Sequence, residues 1–173
     1  MDGSEASTPF TGAPIIAGVI PGQDPAVWER ALELAAGLSV PLIAAFVDPA
    51  SYLIEWTPGH DVLPASLAPD LDPDDETVDA AAELKVDLAE AAAGYATSWS
   101  FRVVGGDPAL ALGRLATAVG ASMIVVGTRH HGFLAKVDEL VSGSLVHRLL
   151  TTQHTPVLGV PSRDTHPRFH SHG

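Results

Sequence analysis

A chain of 173 residues, 46% apolar and 17% charged, is long enough to form one domain with a real hydrophobic core. Nine Lys and Arg against 21 Asp and Glu give a formal net charge of −12, a surface that repels nucleic-acid backbone and anionic membranes. The absence of cysteine excludes a disulfide framework, thiolate metal sites and thiol catalysis.

Residues 1–12 read as an N-terminal extension. Met1–Pro9 carries neither the basic residue nor the apolar run of a secretory signal, and apolar runs such as Met123–Val126 are strand-sized rather than membrane-spanning. A cytoplasmic, soluble protein is expected. The first strand is Pro14–Ile20. Asp24 followed by Pro25 gives a helix cap with proline at the first helical position. Trp28, Ala31, Leu32, Ala35 and Leu38 recur at helical spacing, with Gly37 near the stop. Pro41–Val47 is the second strand.

From 48 to 75 the chain turns acidic and proline-rich, which reads as an irregular insertion with Tyr52, Leu53 and Trp56 folding back on the body. An alanine-rich helix follows from Glu76 to about Tyr95, with Val78, Leu84, Leu88, Ala91 and Tyr95 facing inward. Ser100–Val104 is the third strand. Asp107 and Pro108 repeat the cap signal, and Leu112, Leu115, Ala116 and Val119 mark a helix that Gly120 ends. Met123–Val126 is unalternating and apolar, as in a strand buried on both faces. After the loop 127–143 a last helix opens near Ser144 and carries Leu145, Val146, Leu149 and Leu150, and Thr155–Val160 closes the chain's ordered part. The His-, Arg- and Ser-rich tail 162–173 reads as disordered.

Strands separated regularly by helices imply an α/β fold: a doubly wound, mostly parallel five-stranded sheet with helices on both faces, spanning 13–161. Ligands of such sheets bind beyond the carboxyl ends of the strands, so the loops after Ile20, Val47, Val104 and Val126 are where a site belongs. The segment from Gly127 to Ser144 has the parts of a phosphate cradle. Glycines let backbone amides approach an anion, and Ser144 offers a hydroxyl at a helix start. On spacing alone an ordinary β–α loop explains it better.

Order adds what spacing does not. Gly106-Asp-Pro-Ala109, Gly120–Val126, Val125-Val-Gly-Thr-Arg129, Gly143–Leu150 and Thr155–Val160, taken in sequence, resemble the signature of the universal stress protein family from about Pro14 to Pro161. The resemblance implies an adenine-nucleotide-hydrolase-like fold, ATP with Mg as the ligand, a homodimer joined through the final strand at Val157–Val160, and a regulatory rather than enzymatic role in stress. It also implies a site made of Val19, Ile20, Val47, Gly127, Arg129, His130, Gly132, Gly143, Ser144 and Leu145, with no catalytic residue and no metal ligand of its own.

Two positions depart from that pattern. The family's glycine loop has the form Gly-x2-Gly-x9-Gly-Ser/Thr; here His130 holds the middle position counted from Gly127, and the nearest glycine is Gly132. Ile20 stands where the family has an aspartate that reaches the adenosine, and an aliphatic side chain accepts no hydrogen bond. These changes favour a second reading, a nucleotide-independent interaction module with Trp56 and the acidic insertion as partner surface. A third, a small nucleotide hydrolase, needs a metal-binding carboxylate, for which Asp138 and Glu139 are the candidates.

Other clusters have plainer explanations. Arg129 and Lys136 suit an anion contact because they stay charged at neutral pH, whereas His130 and His131 read better as solvated loop residues. The imidazoles of His166, His170 and His172 lack a rigid framework for a metal. The acidic run 70–76 lacks the glycine spacing of a calcium loop. No nucleophile elbow, Walker loop or dinucleotide fingerprint is present.

Overall fold

A computed structural model describes residue 10 and residues 12–49, 55–56, 75–128 and 145–161. Among these described residues six strands and four helices follow in the order β1 Ile15–Val19, α1 Pro25–Leu38, β2 Leu42–Asp48, β3 Glu55–Trp56, α2 Asp75–Ala92, β4 Trp99–Gly105, α3 Pro108–Val119, β5 Met123–Gly127, α4 Leu145–Thr152 and β6 Val157–Val160. They form one sheet of order β3-β4-β2-β1-β5-β6. Five strands are parallel, as expected, and β3 adds a short antiparallel edge that pairs Glu55 with Val104 and Trp56 with Val103. The stretch expected to be irregular thus contributes a strand, and Asp48 and Asp75 belong to its flanking elements.

Both faces of the sheet are buried, and the two-residue period of a strand divides the core in two. Ile15, Ala17 and Val19 of β1 point to one layer with Val27, Leu32, Leu84 and Leu88 from α1 and α2. Ile16 points to the other with Leu112, Leu115 and Leu149 from α3 and α4. Trp28 ties the first pair of helices together. Its indole N–H donates to the buried Leu88 carbonyl at 3.1 Å, and its ring meets Trp99 edge-on at 5.4 Å between centroids.

Both helix caps read from sequence are present. Asp24 Oδ1 accepts from the Ala26 amide at 2.9 Å, and Asp107 Oδ1 from Leu110 at 3.1 Å. Gly120 ends α3 with φ 61°. The stop of α1 differs: Gly37 lies within the helix, and Ser39 takes the left-handed position at φ 55°. Its amide and that of Val40 bond the Ala36 and Ala35 carbonyls, the closure glycine usually makes.

Two inward assignments also shift. α2 ends at Ala92 rather than near Tyr95, and Ala92 is buried while Ala91 is exposed. Tyr95 still packs partly against the core from the turn beyond the helix. In α4 Leu149 is fully buried, whereas Leu150 is 60% exposed.

Candidate functional site

The strand order sets the place. β1 pairs with β2 on one side and with β5 on the other, so the connection from β1 to β2 and that from β5 to β6 run in opposite directions along the sheet. A crevice opens where two such connections part, beyond the carboxyl ends of β1 and β5. Val19 and Ile20 lie at one lip, and Gly127 and Thr128 at the other.

Of the ten residues singled out from sequence, Val19, Ile20, Val47, Gly127 and Leu145 are described, and Arg129, His130, Gly132, Gly143 and Ser144 lie outside the described residues. Val19 and Val47 are buried core side chains on opposite faces of the sheet. Gly127 is buried at the end of β5, and Leu145 opens α4 partly packed on the α3 side. Ile20 lines a groove of about 260 Å³ between the turn after β1 and α2, together with Trp28, Leu84 and Leu88.

The turn after β1 closes on itself through a residue that the sequence did not flag. Gln23 accepts the Ile20 amide at 2.9 Å through Oε1 and donates to the Gly18 carbonyl at 3.4 Å through Nε2. Two backbone groups at the tip of β1 are thereby satisfied within the chain. A lone glutamine in a turn has no sequence signature, so only the geometry reveals it. Gly18 itself is dictated by packing: a Cβ there would sit 3.0 Å from Val126 Cγ1 and 3.3 Å from Leu112 Cδ1.

The other lip is held by β6. The Thr128 amide donates to the Val160 carbonyl at 3.0 Å, extending the β5–β6 ladder one residue past Gly127. A Cβ on Gly159 would come within 2.9 Å of the Thr128 methyl and 3.4 Å of Val146 Cγ2. The absence of a side chain at Gly159 therefore lets Thr128, after β5, and Val146 of α4 approach the same point of β6. Arg148 of α4 adds a tether, pairing at 2.8 Å with Asp107 Oδ2 while the other oxygen of that carboxylate caps α3. The pair is about a quarter exposed on each side, so the solvent screens it.

Asp48 adds a carboxylate at the end of β2, one strand away from the crevice and only 6% exposed. Thr77, in the first turn of α2, is 8% exposed. Among the described residues no group of three or more acidic, His or Cys side chains is arranged to hold a metal ion.

The family model of universal stress proteins matches residues 15–161. The chain belongs to the universal stress protein family. No curated protein matches the sequence. Among solved structures, a universal stress protein from Archaeoglobus fulgidus is 20% identical, with a TM-score of 0.59 over 86% of this chain and 93% of that one. A universal stress protein in complex with cAMP is 25% identical, with a TM-score of 0.56 over 87% of this chain and 98% of that one. A universal stress protein from Archaeoglobus fulgidus in complex with dAMP is 18% identical, with a TM-score of 0.56 over 85% of this chain and 96% of that one. The sheet order and helix layers described above are thus those of a universal stress protein. Among the described residues no helix is long and apolar enough to cross a membrane.

Proposed function

We propose that this universal stress protein is a cytoplasmic, non-enzymatic regulator of the stress response that binds an adenine nucleotide at the crevice between β1 and β5. The observation that carries the reading is the position of Gly127. It ends β5 beside β1, where the sheet order reverses, and begins the glycine-bearing segment 127–144 of the sequence. A relative 25% identical to this chain binds cAMP. ATP with Mg is the nucleotide the family resemblance suggests, with Arg129, Gly132, Gly143 and Ser144 proposed to meet the phosphates.

The reading extends to a homodimer joined through β6, which among the described residues pairs with β5 on one side only. Leu158 is 38% exposed there and borders a surface hollow of about 460 Å³ with Arg30, Leu34 and Pro161. An edge strand carrying an exposed apolar residue is a natural surface for a second copy.

A second reading, a protein-interaction module that has given up nucleotide, is favoured by the β1 tip. Ile20 offers no acceptor, and Gln23 already satisfies the Ile20 amide. Calorimetric titration with ATP and magnesium, with AMP and cAMP in parallel, separates the two. Micromolar binding supports the nucleotide reading; no heat and no thermal stabilisation at millimolar ligand sinks it.

A further inference from the structure

The sheet has a second edge, far from β6. Among the described residues β3 covers β4 only at Val103 and Val104. Trp99, Ser100, Phe101 and Arg102 lie beyond it, and together with Lys85 of α2 they line a groove of about 430 Å³. At about 3.3 Å per residue, four strand residues offer roughly 13 Å of backbone.

The ladder to β2 fixes which peptide groups face this groove. It begins with the Leu42 amide bonding the Ser98 carbonyl and ends with the Gly106 amide bonding the Asp48 carbonyl. In a parallel pair alternate residues bond the same neighbour, so Ser98, Ser100, Arg102 and Val104 face β2. The N–H and C=O of Trp99 and Phe101 therefore point the other way, into the groove. β3 uses the outward groups of Val103, one step further along the same edge. Extension of β3 in register would set Pro58, which has no N–H, against Phe101, so the chain's own strand is a poor donor for that position.

Charge selects the occupant. The chain carries −12 overall, yet Lys85 of α2, one of its nine Lys and Arg, flanks this edge. Among the described residues no carboxylate lies within ion-pair distance of Lys85. We propose that the groove between α2 and the β4 edge receives an acidic peptide segment of a partner protein in extended conformation, added to the sheet in line with β3. Main-chain bonds to Trp99 and Phe101 supply affinity, and carboxylates on the α2 side meet Lys85. The surface is independent of the nucleotide crevice and of the β6 edge.

The test uses the full chain labelled with ¹⁵N and a capped synthetic hexapeptide alternating valine and glutamate. The expected result is shifts confined to β4 and α2, with amide exchange at Trp99 and Phe101 rapid in the free protein and slowed at least about tenfold by peptide. Methylating alternate peptide nitrogens, replacing glutamate by lysine in the peptide, or the surface variant Lys85→Glu should each weaken binding by about tenfold or more. Three results would overturn the proposal. One is no perturbation of β4 at millimolar peptide, and a second is binding indifferent to both methylation and charge. The third is slow exchange at Trp99 and Phe101 before peptide is added, which means the edge is already filled by this chain or by a second copy.

Discussion

Glycine and isoleucine positions at the crevice set single-residue predictions. Gly159→Ala drives a Cβ into the Thr128 methyl at 2.9 Å, and the neighbour is a short side chain on backbone already bonded to Val160. Over-packing of this kind costs about 1–3 kcal/mol, read as a lower urea midpoint at unchanged slope. Because the contact sits at Thr128, next to Gly127 at the proposed crevice, nucleotide binding should weaken beyond what the stability loss explains. Unchanged stability would mean that β6 yields freely at that point. Ile20→Asp supplies the acceptor that the turn lacks, and a hydrogen bond to a charged group contributes about 1.5–3 kcal/mol, so adenine-nucleotide affinity should rise about tenfold or more. Weaker binding in a variant with native circular dichroism would show that the base or ribose does not approach this residue.

Helix ends are the natural unit for the next two expectations. α1 and α3 close alike, but Ser39 holds the left-handed position in one and Gly120 in the other. Ser39→Gly removes the steric cost of φ 55° and should add up to about 1 kcal/mol, whereas Gly120→Ala introduces that cost and should remove about as much. Thermal unfolding of the pair measures both signs, and a destabilising Ser39→Gly would refute the capping account. At the start of α3, Asp107 has two tasks, capping Leu110 and pairing with Arg148. Arg148→Ala removes only the pair, while Asp107→Ala also removes a cap worth about 1 kcal/mol. A double-mutant cycle should give a coupling of about 0.2–1 kcal/mol that fades in high salt, as for other partly exposed ion pairs. A coupling insensitive to salt would contradict that degree of exposure.

For the molecule as a whole, a ligand that binds only the folded state stabilises it by mass action. Nucleotide at a hundred times its dissociation constant should add about 2.7 kcal/mol to the unfolding free energy. Dimerisation through β6 makes a separate prediction, since Leu158→Lys places a charge on the exposed side of the edge strand. Sedimentation should then find a monomer with an intact fold. A dimer that survives the substitution would place the subunit contact elsewhere, and the β4 edge would be the first alternative.

What the sequence determined by itself is what neighbours in the chain decide among themselves. Asp24-Pro25 and Asp107-Pro108 start helices because cap and fixed φ act within a turn, and Met123–Val126 is a strand because β-branched residues fit a pleated surface buried on both sides. Alternation of such elements limits the fold to a parallel sheet between helix layers, and ordered family motifs limited it further. Short-range reasoning weakened at helix ends, where Ser39 rather than Gly37 makes the turn and Ala92 rather than Ala91 is buried, because a shift of one residue rotates a helical side chain by about 100°. Only the tertiary structure decided which strands are neighbours, that β3 pairs with β4 at Val103 and Val104, and that Trp28 is bonded to Leu88 sixty residues away. The same holds for the crevice. The closure of the β1 tip by Gln23 and the meeting of Thr128 and Val146 over Gly159 depend on where separate elements come to rest, and no local pattern of residues encodes that.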